Sequence, residues 1–161
     1  MKIQFLCATH KLQLSTNNTQ ALRCWRNGYE AGQTFADMQF FQDALPHLGC
    51  AYEVAEIILT QQMLEDFDAV VLLATSAATL AKCLVNMEQP EFADSIIKLT
   101  VDRLNQEKFK NKEVLPLIQH QIDSLLYGFQ KKTELEPKPN KVAMLFQQQQ
   151  YFEQLEQRVV H

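Results

Sequence analysis

Glycine and proline are scarce in this chain, with four glycines and five prolines among 161 residues. This scarcity argues against collagen-like repeats, low-complexity linkers and sheets joined by many tight turns. Basic side chains are also in the minority, because 15 Lys and Arg stand against 19 Asp and Glu, for a formal net charge of -4 at pH 7. Binding to nucleic acid needs a concentrated basic face that neutralises phosphates. We therefore expect no nucleic acid among the partners of this protein.

Long uninterrupted apolar runs are missing as well. The most apolar stretch, residues 67–85, is broken by polar residues such as Asp68 and Lys82, whereas a membrane helix needs about 20 predominantly apolar residues. The short apolar run near the N-terminus ends in His10 and Lys11 and has no small-residue cleavage site, so we expect no secretory signal. The sequence predicts a soluble, cytoplasmic protein with no membrane partner.

The short motifs of common enzymes are absent from the sequence. It contains no GxxxxGK[ST], GxGxxG, HExxH or GxSxG, the signatures of phosphate-binding loops, dinucleotide sites, zinc proteases and serine hydrolases. The Glu-x-x-His pair of a di-iron helical bundle does not occur either. We therefore predict a protein that is not an enzyme and that carries no cofactor.

Four cysteines occur, widely spaced and outside any CxxC pair. In a chain without an export signal, such cysteines are typical of small buried hydrophobic residues in a reducing compartment. Zinc is the alternative, because Cys7 and His10 stand three residues apart, as do His47 and Cys50, with Cys24 between the two pairs. A structural zinc ion takes four such nitrogen and sulfur ligands. A small-ligand or zinc-binding helical bundle therefore stays open as an alternative function.

Apolar residues recur at helical spacing along most of the chain. One stripe predicts a helix that starts at Thr19 and ends near Gly32, and the next helix carries Phe35. Pro46 then predicts a break or a kink, because proline lacks a backbone donor and clashes with the carbonyl four residues earlier. Further stripes predict helices over residues 48–59, 67–87, 90–104 and 118–129. The expected fold is all-α with about six to seven helices, and the only candidate strand, residues 3–7, has no partner strand.

The length is that of one domain, perhaps extended by a small appendage. We expect four parts: an N-terminal segment at 1–18, a helical-hairpin domain at 19–130, a Pro/Lys linker at 131–140 and an amphipathic helix at 141–161. The two prolines of the linker predict a stiff, extended spacer. The last helix either caps the end of its own helical array or reaches a second copy, which would give a homodimer.

Two helix-turn-helix units, at roughly residues 20–45 and 74–104, combine large and small side chains in a recurring order. Leu22, Trp25 and Tyr29 occupy the first helix of the first unit. In the second unit, the large and small positions of both helices are held by Ala77, Leu80, Ala81, Leu84, Ala93, Ile97 and Thr100. In this order the chain resembles the tetratricopeptide repeat family, over a little more than half of its length.

The resemblance implies stacked antiparallel hairpins whose first helices form a concave surface for a peptide or a partner helix. The residues that would line this surface are Gln20, Arg23, Asn27 and Glu30 in the first unit, and Thr75, Lys82 and Asn86 in the second. On this basis we predict a non-enzymatic scaffold or adaptor that binds a protein or peptide partner. An ordinary solvated helix face is the other interpretation of these polar residues.

Overall fold

The computed structural model of the chain describes residues 4–130 and residue 154. The α-helices in this range are α1 (Ala8–Ser15), α2 (Asn18–Asp37), α3 (Phe41–Thr60), α4 (Asp66–Asn86), α5 (Pro90–Gln106) and α6 (Leu115–Gln130). A short 3-10 turn at Lys112–Val114 leads into α6. The predicted linker at 131–140 and, except for residue 154, the predicted helix at 141–161 lie outside the described residues.

The predicted all-α class is confirmed, because the described part of the chain contains six helices and no strand. The candidate strand at 3–7 is not formed in its described residues, and Cys7 instead precedes α1. Helix α2 packs on α3, α3 on α4, and α4 on α5, while α6 lies against α4 and α5. Helix α1 packs on α3 and α2. The middle helices α3 and α4 therefore hold most of the core.

Two predicted helix boundaries are wrong. Helix α2 begins after Asn17, whose side chain accepts a hydrogen bond from the amide of Gln20 at 2.9 Å, so Asn17 and not Thr19 is the N-cap. The same helix continues through Gly32 to Asp37 instead of ending near that glycine. Gly32 lies inside the helix because α3 presses against it: a Cβ atom there would come within 2.6 Å of the Leu48 side chain. Gly32 therefore allows α3 to pack closely on α2 and does not terminate the helix.

Helix α3 continues through Pro46, so the break predicted there does not occur. Pro46 lies in the second turn of the helix and is exposed. The carbonyl with which it interferes belongs to Gln42, near the helix start, where an exposed backbone group can bond to water. Beyond the proline, the side chains of Leu48 and Ala51 are fully buried. Their packing holds the helix together after the proline.

Helix α4 is long and strongly apolar. It is long and apolar enough to cross a membrane by length and composition alone, with a mean hydropathy of 1.6 over its most apolar window. Within the fold, however, 67% of that window is buried. Ala74, Ala77 and Ala81 are all buried, whereas Ala78 is exposed, so three small side chains let neighbouring helices approach α4 closely. The burial is that of a central helix packed on its neighbours.

Three aromatic side chains donate hydrogen bonds to hydroxyl groups two helices further along the chain. The pairs are Trp25 with Ser76 at 2.8 Å, Tyr29 with Thr79 at 3.0 Å and Tyr52 with Thr100 at 3.1 Å. Each hydroxyl in turn donates to the backbone carbonyl four residues earlier on its own helix, at 2.7–2.9 Å. The polar tips of buried aromatic rings are thus satisfied, and the bonds connect α2 to α4 and α3 to α5.

The first described residues are fastened to α3 by a buried carboxylate. Glu53 accepts a hydrogen bond from the backbone amide of Leu6 at 2.6 Å and from the ammonium group of Lys11 at 3.2 Å. Next to it, the ring of Phe5 covers Gly49 so closely that a Cβ atom there would lie 2.3 Å from the ring. Residues 4–18 are therefore part of the packed fold, because the buried charge of Glu53 is satisfied only when they are in place.

The three turns that end α2, α3 and α4 share one backbone conformation. Each contains a single residue in the left-handed region: Gln39 (φ 65°), Gln62 (φ 52°) and Glu88 (φ 60°). In each turn the following amide donates to the carbonyl five residues before it, at 2.9–3.1 Å. This pattern is the Schellman motif, in which glycine is the usual left-handed residue. The chain uses larger residues instead, which strains the backbone at all three turns.

Replacing Gln62 by glycine is expected to raise the free energy of unfolding by about 1 kcal/mol, because glycine removes the left-handed strain. The matched control is Gln61→Gly, one residue earlier, where φ is -85° and no strain exists. This control should lower the free energy of unfolding by about 0.5–1 kcal/mol through the added backbone freedom. Urea unfolding of both variants measures the difference. Equal destabilisation by the two glycines would contradict the assignment of strain to Gln62.

Because its hydroxyl group is buried, Tyr52 is expected to make the folded state less stable at alkaline pH. Burial, together with the negative charge of Glu56, raises the pKa of Tyr52 from 10.0 to about 12. The folded state then keeps a proton that the unfolded state releases, so this stabilising contribution is complete below pH 10 and is lost as the pH rises to 12. The stability advantage of the wild type over Tyr52→Phe should therefore shrink by about 2 kcal/mol across that interval.

The control for this measurement is Tyr127→Phe, because the Tyr127 side chain is 58% exposed. Urea unfolding at pH 9, 10, 11 and 12 compares the three proteins. The wild type and the Tyr127→Phe variant should lose stability in parallel. A Tyr52→Phe variant that follows the same curve as both would show that burial of the Tyr52 hydroxyl does not contribute to the alkaline transition.

Candidate functional site

An open cavity of about 550 Å³ lies along the contact between α2 and α3. Its lining residues are Gln20, Arg23, Cys24, Asn27, Gly28, Ala31, His47 and Cys50. Helix α2 supplies the first six of these residues and α3 supplies the last two. We call this depression the α2–α3 cavity. It combines amide, guanidinium, imidazole and thiol groups in one place.

Helical spacing places the α2 residues on one face. Asn27 lies seven positions after Gln20 and Ala31 lies eleven positions after it, which corresponds to about two and three helical turns. Gln20, Arg23 and Asn27 are exposed along this face. Gly28 lies deeper, where a Cβ atom would come within 3.2 Å of the His47 carbonyl oxygen. The backbones of α2 and α3 are therefore in close contact beneath a polar rim.

Cys24 and Cys50 bring their thiols together inside the α2–α3 cavity. Both residues are half-buried and both are free, and the Cys50 thiol is close enough to Cys24 to act on its pKa as a hydrogen-bond donor. The bond from the Cys50 thiol stabilises a thiolate on Cys24 and lowers the pKa of Cys24 to about 7, although burial opposes the shift. The same hydrogen bond, and then burial, raises the pKa of Cys50 above its ordinary value. Cys24 is the sulfur that ionises first.

The zinc site considered from the sequence is not formed among residues 4–130, where no group of three or more His, Cys, Asp or Glu side chains is arranged to hold a metal ion. Cys7 and His10 contact each other at 3.3 Å at the exposed start of α1 and do not line the α2–α3 cavity. His47 and Cys50 do line it, and the His47 ring stacks on Phe35 with 5.5 Å between ring centroids. The two predicted ligand pairs are therefore separate.

Three of the predicted binding residues on α2 line the same cavity: Gln20, Arg23 and Asn27. The fourth, Glu30, is outside its lining and forms an ion pair with Arg26 at 3.0 Å on the surface of α2. The structure thus places three of the four residues predicted in the first unit along the groove between α2 and α3. The resemblance had implied a surface made by the first helices of two hairpins, which correspond to α2 and α4.

The predicted residues on α4 lie elsewhere. Thr75 is half-buried, and its carbonyl accepts the hydrogen bond of the Thr79 hydroxyl at 2.9 Å. Lys82 and Asn86 are exposed towards the C-terminal end of α4. None of the three lines the α2–α3 cavity. The seven predicted residues therefore do not form one continuous depression.

The contact between Cys24 and Cys50 was missed by the sequence interpretation, which paired Cys50 with His47. A signal for it does exist on α2, where Cys24, Gly28 and Gly32 are small residues repeated every four positions. Such a row lets a second helix approach closely along its length. The partner residue on α3 follows only from the register of the two helices.

A second cavity, of about 530 Å³, lies where the turn after α3 meets the segment before α6. Asp66, at the start of α4, accepts hydrogen bonds from the backbone amides of Lys110 and Asn111 at 2.9 and 3.5 Å. These bonds attach the connection between α5 and α6 to the N-terminal end of α4. The carboxylate is used for structure there, so the α2–α3 cavity is the better candidate for function.

No model of a known protein family, no curated protein and no solved structure matches this chain. The functional argument consequently depends on the residues themselves. The arrangement offers exposed hydrogen-bonding side chains, one guanidinium group and a pair of interacting thiols. Such groups can bind polar and anionic parts of a partner, and the thiols can be modified covalently.

The close contact between α2 and α3 depends on the missing side chain of Gly28. Substitutions of increasing size at this position therefore test the contact. Gly28→Ala is expected to change the free energy of unfolding by less than about 1 kcal/mol, because greater helix propensity offsets the tight contact with His47. Gly28→Leu is expected to lower it by about 1–3 kcal/mol, because the larger side chain forces α2 and α3 apart. Urea unfolding provides the comparison. Wild-type stability in Gly28→Leu would contradict the close backbone contact.

Proposed function

We propose that the protein is a non-enzymatic scaffold or adaptor that binds a peptide or a partner helix along the α2–α3 cavity. The observation that carries the proposal is the common placement of Gln20, Arg23 and Asn27 around an open depression of about 550 Å³. The sequence pattern predicts the same three side chains as binding residues. Their convergence on one cavity favours a binding face over scattered solvated residues.

The chemistry of the rim suits recognition of a polypeptide. The amides of Gln20 and Asn27 each offer two donors and one acceptor oxygen, which is what the backbone of an extended segment requires. Arg23 adds a fixed positive charge that can bind a carboxylate in bidentate geometry. Gly28 and Ala31 have little side chain, so an apolar group of the partner can approach the helix backbones. A partner segment carrying an acidic residue beside an apolar one fits this arrangement.

The tetratricopeptide-like organisation forms part of the proposal. In it, α2 with α3 and α4 with α5 are the two hairpins, and each pair is joined by a short turn. The polar residues Thr75, Lys82 and Asn86 of α4 then serve as additional contacts for a long partner and not as the main site. Binding at the α2–α3 cavity places the partner between the helices of the first hairpin. This placement differs from the concave surface on the first helices that the resemblance implies.

Asn27→Arg tests the proposal, because a long charged side chain fills the cavity rim without touching the core. Affinity capture with the full-length wild type identifies bound proteins, and titration of each candidate then gives its dissociation constant. We expect Asn27→Arg to weaken the specific partner at least roughly tenfold, the loss typical of a blocked hot spot. The matched control is Asn105→Arg, which makes the same change at an exposed position of α5.

Two results separate the alternatives. Retention of the partner by Asn105→Arg and its loss in Asn27→Arg would support the α2–α3 cavity as the binding site. Equal binding to both variants would rule out this cavity. A third variant, Lys82→Glu, examines the exposed part of α4, and a loss confined to it would move the site to that helix.

A further inference from the structure

The thiols of Cys24 and Cys50 have a geometry that partner binding does not require. They belong to different helices that pack on each other, yet they line the same open cavity. The close backbone contact at Gly28, one turn from Cys24, holds the two helices at short range. Two free thiols on closely packed helices that face one cavity can form a disulfide with a modest change of side-chain conformation. Solvent reaches them because neither residue is fully buried.

We propose that Cys24 and Cys50 form a peroxide-sensitive dithiol, in which Cys24 is the attacking sulfur, Cys50 is the resolving sulfur, and the product is an intramolecular disulfide between α2 and α3. The oxidant is a hydroperoxide, in the simplest case hydrogen peroxide. This property is independent of whether the cavity also binds a partner.

The assignment of roles follows from the asymmetry of the pair. Of the two thiols, the interaction lowers the pKa of Cys24 and raises that of Cys50, which favours the thiolate on Cys24. The thiolate, and not the thiol, is the nucleophile that reacts with peroxide. Cys50 keeps its proton and stands next to the sulfur that becomes oxidised. A low-pKa, accessible cysteine beside a resolving cysteine is the arrangement found in redox sensors.

The other two cysteines lack this arrangement. Cys83 is 1% exposed, and its thiol donates to the carbonyl of Phe41 at 3.4 Å, while burial raises its pKa. Cys7 is exposed and contacts His10 at 3.3 Å. Neither is hydrogen-bonded to a second thiol among the described residues. These two positions therefore supply internal controls for the reactive pair.

The reaction is balanced in two steps. The Cys24 thiolate attacks one oxygen of hydrogen peroxide, the O–O bond breaks, Cys24 becomes a sulfenic acid, and hydroxide leaves. The sulfur of Cys50 then attacks the Cys24 sulfur, the S–O bond breaks, and the proton of the Cys50 thiol leaves with the departing oxygen as water. In total, two thiols and one hydrogen peroxide give one disulfide and two waters. The sulfur pair loses two electrons and the peroxide gains them.

The first experiment treats the full-length reduced protein with a small excess of hydrogen peroxide at pH 7. Peptide mapping without reductant is expected to recover a linked pair of peptides that contain Cys24 and Cys50, with the loss of two hydrogens. Dithiothreitol should reverse this linkage. The double variant Cys7→Ser/Cys83→Ser, which keeps only the reactive pair, should form the same linked product at the wild-type rate.

Single variants separate the two roles. Cys50→Ser should stop the reaction at a sulfenic acid on Cys24 that dimedone captures, whereas Cys24→Ser should slow peroxide consumption roughly tenfold or more, because the thiolate is lost. Circular dichroism verifies that each serine variant is folded. Oxidation that starts at Cys7, or disulfides formed only between two chains, would overturn the proposal. So would dimedone capture on Cys50 and not on Cys24 in the respective single variants.

Discussion

Close packing of α2 on α3 is the constraint on which the rest of this structure depends. Gly28 and Gly32 face His47 and Leu48 so tightly that the two helices contact each other through their backbones. This register places Gln20, Arg23 and Asn27 along one open cavity and brings the thiols of Cys24 and Cys50 together. Larger side chains at the two glycines would separate the helices and change all of these contacts at once.

Hydrogen bonds between polar groups in the core add to the constraint that close packing places on the helices. Buried aromatic donors reach hydroxyls two helices away, and a buried carboxylate, Glu53, fastens the N-terminal segment to α3. Among the described residues, no buried side-chain nitrogen or oxygen lacks a partner. Because an unsatisfied polar group in a core is costly, these bonds allow few alternative registers of the helices. The cavity between α2 and α3 is therefore held by the whole array.

The two proposals for the α2–α3 cavity use different groups. Partner binding depends on the exposed amides and guanidinium of its rim, whereas oxidation depends on the half-buried thiols between the helices. A disulfide between Cys24 and Cys50 would join the two helices that line the cavity. The shape of the cavity would then depend on the redox state of these two thiols.

The sequence by itself determined the all-α class and the start of α5 at Pro90, because these features follow from local periodicity and local backbone chemistry. It did not determine where α2 ends: Gly32 serves packing, and the left-handed turn residue is Gln39. Nor did it determine the pairing of Cys24 with Cys50. Both depend on the register between α2 and α3, which only tertiary packing decides, since contacts between separate segments leave no local pattern in either one.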